Sequence, residues 1–271
     1  MQEKKEFDNI LKDVRDIKIQ GARNVAKAAL KAYLLLPTEE SKRELLNSRP
    51  TEPMVSHVLH LAENGINDIE IMEHFDFAQN KINEIVFRLI KDEDRIFTHC
   101  HSTNVINALV YSKNKGKKFQ VYNTETRPLF QGRMTATDLR KEGIKVTMFV
   151  DSAAATAIEK ENEKDKIYAD KIFLGADALL KDGIINKIGS GMFAEIANRN
   201  HVPVYIIADS WKFSSNKIPI EHRKINEVWD KAPKNIKIKN PAFEFVDKKY
   251  ISGIITEFGL MKYEDFVKCM E

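Results

Sequence analysis

The sequence predicts an α/β protein with a helical N-terminal domain over residues 1–94, followed by a doubly wound, Rossmann-like domain with a mainly parallel sheet over residues 95–271. Three observations carry this expectation. Apolar residues recur at helical spacing through the first ninety-odd positions, the pattern changes at Arg95 to short apolar runs, and helix-length segments separate most of those runs.

The helical spacing is visible in Phe7, Ile10, Leu11, Val14 and Ile17, then in Val25, Ala28, Ala29, Ala32 and Leu36, and again in Ile82, Ile85, Val86, Leu89 and Ile90. The strand-like runs are RIFTH at 95–99, FQVY at 119–122, KVTMFV at 145–150, KIFLG at 171–175, PVYIIA at 203–208 and SGIIT at 252–256. Near-continuous apolar runs of this length suit strands covered by helices on both faces. Residues 214–250 hold three of the eight prolines and no clear period, and are expected to wrap the surface or a partner subunit.

In doubly wound sheets ligands gather beyond the carboxyl ends of the strands. Here those ends supply Cys100 and Ser102, Thr124 to Arg127, Asp151 and Ser152, Asp177, and Asp209 with Lys212.

With 271 residues, 43% of them apolar and 31% charged, the chain can bury a substantial core. No stretch approaches the roughly 18 consecutive apolar residues of a membrane helix, and the opening MQEKKEFD lacks the apolar run of a secretory signal, so a cytoplasmic protein without membrane partners is expected. The two cysteines, Cys100 and Cys269, exclude a disulfide framework. No Cys/His spacing resembles a zinc site, and the HCH at 99–101 would put alternate side chains on opposite strand faces, so no metal is expected.

From residue 95 onward 29 Lys and Arg stand against 22 Asp and Glu, whereas the first 94 residues are slightly acidic. Such a bias suits a phosphorylated substrate, a nucleic acid or simply a lysine-rich surface. The basic residues form no dense run interleaved with aromatics, which argues against nucleic acid.

Cys100 ends an apolar run and precedes Ser102, a good N-cap for a helix running to about Lys115. That places the thiol where a helix N-terminus stabilises a thiolate, although a lone cysteine also reads as a small buried hydrophobe. Asp177 lies in GAD at 175–177, where Gly175 permits close backbone approach and the apolar flanks favour a carboxyl that keeps its proton; a helix cap or loop aspartate is the alternative. DGIINKIGSG at 182–191 sets Asn186 and Lys187 before Gly189, Gly191 and a helix at about 190–200, an anion cradle in outline. TETRPLFQGR at 124–133 gathers Arg127, Gln131 and Gly132, and SRP at 48–50 carries Arg49 ahead of a helix. Arginine suits phosphate because its planar fork makes paired, charge-assisted hydrogen bonds, though each alone is commonly a surface residue.

These segments, together with IQGARNVA at 19–26, SRPTEP at 48–53, THCHS at 98–102, VDSAA at 150–154 and ADSWKF at 208–213, resemble one family across nearly the whole chain. That family joins the alpha, beta and delta regulatory subunits of translation initiation factor 2B to two isomerases, one for ribose 1,5-bisphosphate and one for 5-methylthioribose 1-phosphate. The resemblance implies catalytic roles for Cys100 and Asp177, the pair retained by the isomerases. GIINKIG followed by SWKF is similar to the ribose-bisphosphate branch.

By the same resemblance, Gln20, Gly21, Arg23, Arg49, Ser102, Arg127, Gln131, Gly132, Asn186, Lys187 and Lys212 hold the sugar bisphosphate. No cofactor is implied. AMP is implied as an effector, and a homo-oligomer, either a dimer or a hexamer built as a trimer of dimers, as the assembly. The alternatives are the methylthioribose-phosphate isomerase and a non-catalytic regulatory subunit.

Overall fold

The computed structural model describes residues 2–159 and 168–271. Its first part is helical: α1 (Gln2–Arg15), α2 (Ala22–Leu35), α3 (Glu39–Ser48), α4 (Pro53–Glu63) and α5 (Asp68–Leu89). Local chemistry sets several of these starts. Thr38 accepts the Ser41 amide at 3.2 Å ahead of α3, Asn67 accepts the Glu70 amide at 2.8 Å ahead of α5, and Pro53 opens α4, where its missing N–H costs nothing. Phe7, Val25, Leu45, Val58 and Ile71 are all but inaccessible and form the centre of this helical core.

Helix α5 belongs to both halves of the molecule. Its N-terminal Ile71 and Phe75 pack in the helical core, whereas Ile82 and Val86 pack, with Ile90, against the face of the sheet. The 22 residues of the helix bridge the division expected at residue 94.

Seven strands form the main sheet: β1 (Arg95–Thr98), β2 (Gln120–Thr124), β3 (Lys145–Phe149), β4 (Lys171–Leu174), β7 (Val204–Ile207), β9 (Gly253–Thr256) and β10 (Gly259–Met261). Their spatial order is β10-β9-β7-β4-β1-β2-β3, parallel except for β10. Helices α6 (Thr103–Asn114) and α7 (Gln131–Lys141) join α5 on one face; α8 (Ser190–Arg199) and α9 (Tyr263–Met270) cover the other. Every strand expected from the apolar runs is present, and the doubly wound class stands.

From β1 the chain winds outward through β2 to β3, then returns to β4 beside β1 and winds the opposite way. The switch point therefore lies between β1 and β4. It is the crevice in which such folds bind ligands, and the strand ends facing it carry Cys100 and Asp177.

The GAD-to-GSG segment departs from the sequence reading. Where the sequence reading assigned no strand, β5 (Ala178–Leu180) and β6 (Gly183–Lys187) form a tight antiparallel hairpin, and β8 (Phe243–Asp247) extends it to a second, three-stranded sheet. All five residues of β6 are buried, so the strand shows no inside–outside alternation by which to recognise it. The segment expected to be aperiodic therefore ends in a strand, although residues 214–242 contain only a short 3-10 turn at Ile225–Glu227.

Candidate active site

A cavity of about 480 Å³ opens at the switch point. Cys100, Ser102, Asp177, Gln20, Gly21, Arg23, Arg49, Gln131, Asn186, Lys187 and Lys212 line it, all of them expected from the sequence.

Strand β1 stops at Thr98, so Cys100 is not a strand residue and the alternating-face expectation for 99–101 fails. Cys100 has φ +68, a left-handed conformation that costs a residue with a Cβ about 1 kcal/mol or more. It is held from both sides. Its N–H donates to Thr126 Oγ1 at 3.0 Å, and its carbonyl accepts from Thr135 Oγ1 at 2.7 Å. The loop thus turns the thiol into the cavity just ahead of α6, whose N-cap is Ser102, as expected.

The Ser102 side chain makes no capping bond; it packs instead on Gly175 at the end of β4, where a Cβ would lie 2.5 Å from Ser102 Oγ. Gly175 is required there by close approach.

The thiol is not the ready thiolate expected beside a helix N-terminus. Burial pushes its pKa up, as do the charges of Asp177 and Asp151; Lys187 and the His101 backbone N–H pull it down without reversing the shift. Asp177 fits its expectation better, because burial raises its pKa against the pull of Lys212, Lys187 and Arg49, which suits a carboxyl that must hold a proton. Lys212 Nζ donates to the Ala176 carbonyl at 2.7 Å, fixing the residue between Gly175 and Asp177.

Two cationic regions flank this pair. On one side Lys187 and Lys212 are buried, Lys187 with its ammonium 4.6 Å from the centre of the Phe243 ring. Arg49 reaches in from the junction of α3 and α4. Its Nη2 donates to Glu52 Oε1 at 3.2 Å, while Nε and Nη1 are buried with no hydrogen-bond partner among the described residues. Nε lies 3.6 Å from Glu221 Oε2, an ion pair too long for a hydrogen bond, so the guanidinium keeps donors that suit a phosphate oxygen.

The second region lies where Gly21, φ +83, caps α2 with no side-chain hydrogen bond to the first-turn amides among the described residues. Arg23 there pairs with the exposed Asp76. Asn186 spends its amide donor on Ser190 Oγ at 2.8 Å.

Two expected ligands are elsewhere. The Arg127 side chain is exposed and donates to the Val228 carbonyl at 3.2 Å, and its backbone N–H is held by Asp151. Gly132 serves packing, since a Cβ on it would sit 1.7 Å from the Thr124 carbonyl oxygen. Both lie in a motif whose value at the site is carried by Gln131 and by the threonines that hold Cys100.

Sequence reasoning missed Glu52, His99, His101 and Arg223, all of which line the cavity. Glu52 and both histidines lay inside segments already singled out, but nothing in their spacing marked them. Arg223, held by Glu221 at 3.1 Å, comes from the aperiodic segment. Burial, then the charge of Asp177, pushes the Glu52 carboxyl up to about 8 in spite of Arg49 and Lys212. Near neutral pH the carboxyl therefore tends to keep its proton, while Oε1 accepts from Arg49.

His74, Asp209 and Glu257 bring ligand-type atoms within 4.8 Å of one another. Their polar atoms serve each other and the backbone. His74 Nε2 meets Asp209 Oδ1 at 3.1 Å, Asp209 accepts the Trp211 amide, and Ser210 donates to Glu257. With Trp211 stacked on His74 at 3.5 Å, the group fastens α5 to the ends of β7 and β9.

Residues 23–263 match the Initiation factor 2 subunit family. The ribose 1,5-bisphosphate isomerase of Methanocaldococcus jannaschii is 35% identical over 92% of this chain and 89% of its own length. The methylthioribose-1-phosphate isomerase of Thermosipho melanesiensis is 30% identical over 97% of this chain and 89% of its own. Among solved structures, translation initiation factor eIF-2B of Pyrococcus horikoshii OT3 superposes with a TM-score of 0.80 at 26% identity, over 94% of this chain and 96% of that one. On the breadth of these matches, the chain is a member of the Initiation factor 2 subunit family.

Proposed function

We propose that this chain is an aldose–ketose isomerase that converts ribose 1,5-bisphosphate into ribulose 1,5-bisphosphate. The observation that carries the reading is the meeting of Cys100 and Asp177 in one cavity at the switch point, between two cationic regions. Two such regions suit a substrate with a phosphate at each end, and an apolar methylthio group would leave one of them unused. The isomerase names among the relatives support the reaction class.

In this mechanism Asp177 gives its proton to the ring oxygen and opens the sugar. Cys100, ionised with help from Lys187 and the His101 N–H, takes the hydrogen from C2 and returns it to C1 through an enol. Arg49 with Lys212 holds one phosphate; Gly21 and Arg23 hold the other. The raised thiol pKa makes the reactive form, thiolate with protonated carboxyl, a minor one, which enzymes with matched acid–base pairs tolerate at a cost in rate.

Incubating the purified protein with ribose 1,5-bisphosphate and assaying ribulose 1,5-bisphosphate tests the reading, with methylthioribose 1-phosphate as the competing substrate. Turnover of the second alone replaces the substrate. Turnover of neither favours a regulatory subunit.

A further inference from the structure

We propose that His101 is the base that accepts the hydroxyl proton released as the ketone forms, a role that rests on the isomerase reading above. The argument begins with a single hydrogen. Thr135 Oγ1 lies 2.7 Å from the Cys100 carbonyl oxygen, which has no hydrogen to offer, so the threonine hydroxyl must donate there. The same oxygen lies 3.1 Å from His101 Nδ1 and, its hydrogen already used, can only accept. His101 is therefore protonated on Nδ1, and in the neutral ring the lone pair sits on Nε2.

His101 lines the cavity, and its Nε2 makes no hydrogen bond among the described residues. Burial lowers the ring's pKa, against a smaller pull from Asp138 on α7, so the imidazole is neutral near pH 7. His99 offers no such lone pair, because Thr124 Oγ1 at 2.5 Å and the Ile188 carbonyl at 2.9 Å occupy both of its nitrogens.

The reaction releases a proton that such a group can take. Opening the ring adds one proton to the ring oxygen, from Asp177. Cys100 carries a hydrogen from C2 to C1 and ends as it began. When the enol becomes the ketone, its double-bond electrons take the proton from the Cys100 thiol at C1. The O–H bond on C2 breaks and its electrons form the C2=O bond. The Asp177 carboxylate left by ring opening is one acceptor for that hydroxyl proton, and Nε2 of His101 is a second base in the same cavity. With Nε2 as acceptor an N–H bond forms, and the low-pKa imidazolium returns the proton to solvent while Asp177 regains one. The Thr135 bridge ties this base to the same backbone that presents the thiol.

The test uses the full-length protein with His101→Asn and His101→Ala. Losing a general base predicts kcat about a hundredfold lower with KM within a few-fold. The acid limb of the kcat/KM profile should fall from slope two in the wild type to slope one, and added imidazole should restore part of the turnover of His101→Ala. An active wild type whose His101→Asn form keeps both its turnover and its acid limb overturns the role alone. A wild type inactive on both sugar phosphates overturns the isomerase reading and this role with it.

Discussion

Gly175 and Ser102 meet so closely at the switch point that a Cβ on the glycine would lie 2.5 Å from the serine Oγ and 2.7 Å from its Cβ. This contact locks the end of β4, which carries Asp177, to the start of α6, which follows Cys100. The spacing of the acid and the thiol thus depends on a missing methyl group. Gly175→Ala should force the two apart at a cost of about 1–3 kcal/mol in stability, as overpacking does. Turnover should suffer more than the melting temperature. A variant that keeps wild-type kcat while losing stability would show that the spacing is not critical.

Cys100→Ser and Asp177→Asn should each lower turnover at least about a hundredfold with folding intact, since both changes are nearly isosteric. The pH dependence separates their roles. Once Asp177 no longer titrates, the residual rate of Asp177→Asn should follow the thiolate alone, rising about tenfold per pH unit until the raised thiol pKa is reached. A residual rate flat between pH 6 and 8 would remove Cys100 as the base.

His99 makes the fold acid-sensitive. Burial holds its ring neutral, with its pKa pulled down to about 4 from the ordinary 6.5. The folded state therefore resists a proton that the unfolded chain accepts. This contribution to stability is present above pH 6.5 and is lost as the pH falls from 6.5 toward 4, at about 1.4 kcal/mol per unit. Glu52, pushed up to about 8, works in the opposite direction, its contribution fading as pH rises from 4.5 toward 8, so the comparison must be made against a variant. Denaturant unfolding of wild type and His99→Asn at pH 7 and pH 5 should show the gap between them narrowing by about 2 kcal/mol at the lower pH.

The sheet and its winding were legible because six strands, all largely buried but the edge strand β3, left six short apolar runs with polar residues at their carboxyl ends. The hairpin of β5 and β6 was hidden by its burial on both faces, which erases the period of two. Among the site residues, Cys100 and Asp177 stood out because a strand end is where chemistry sits in this architecture. Arg127 and Gly132 lie outside the cavity for different reasons: a Cβ on Gly132 would meet the Thr124 carbonyl, while the exposed Arg127 side chain turns to the Val228 carbonyl. Glu52 and His101 could not be read from spacing, since their importance lies in which neighbours occupy their polar atoms.

Self-association is expected through the open edge of the sheet. Strand β3 is an edge strand, and Met148 and Val150 beside it are 46% and 54% exposed. Phe245 in β8, within the 214–250 stretch expected to wrap the surface or a partner subunit, is 47% exposed. A parallel edge flanked by apolar side chains calls for a cover. Sedimentation at micromolar concentration should give a dimer or larger species, and Val150→Lys should shift it toward monomer. A wild type that stays monomeric would leave the edge to another partner.

Arg49 and Arg23 should both act on substrate affinity, but not equally. Arg49 is buried, with Nε and Nη1 making no hydrogen bond among the described residues and Nε only in a longer ion pair with Glu221 at 3.6 Å, so an arriving phosphate gains charged hydrogen bonds at the cost of that one weaker contact. Arg23 is already paired, but with Asp76, whose side chain is 75% exposed and can return to water. An exposed pair is worth only about 0–1 kcal/mol, and that is what Arg23 gives up to turn to a ligand. A charged hydrogen bond contributes about 1.5–3 kcal/mol, or roughly ten- to hundredfold in affinity. Arg49→Ala should therefore raise KM by at least the upper end of that range. Arg23→Ala should raise it about tenfold, and Asp76→Ala, by freeing Arg23, should leave KM unchanged or slightly lower. Because the 5-phosphate lies away from C1 and C2, the arginine that holds it should act alike on ground state and transition state, so for that arginine kcat should change less than KM. Steady-state kinetics of the three variants check the order. An Arg23→Ala effect larger than that of Arg49→Ala would move the principal phosphate anchor from the α3–α4 junction to the start of α2.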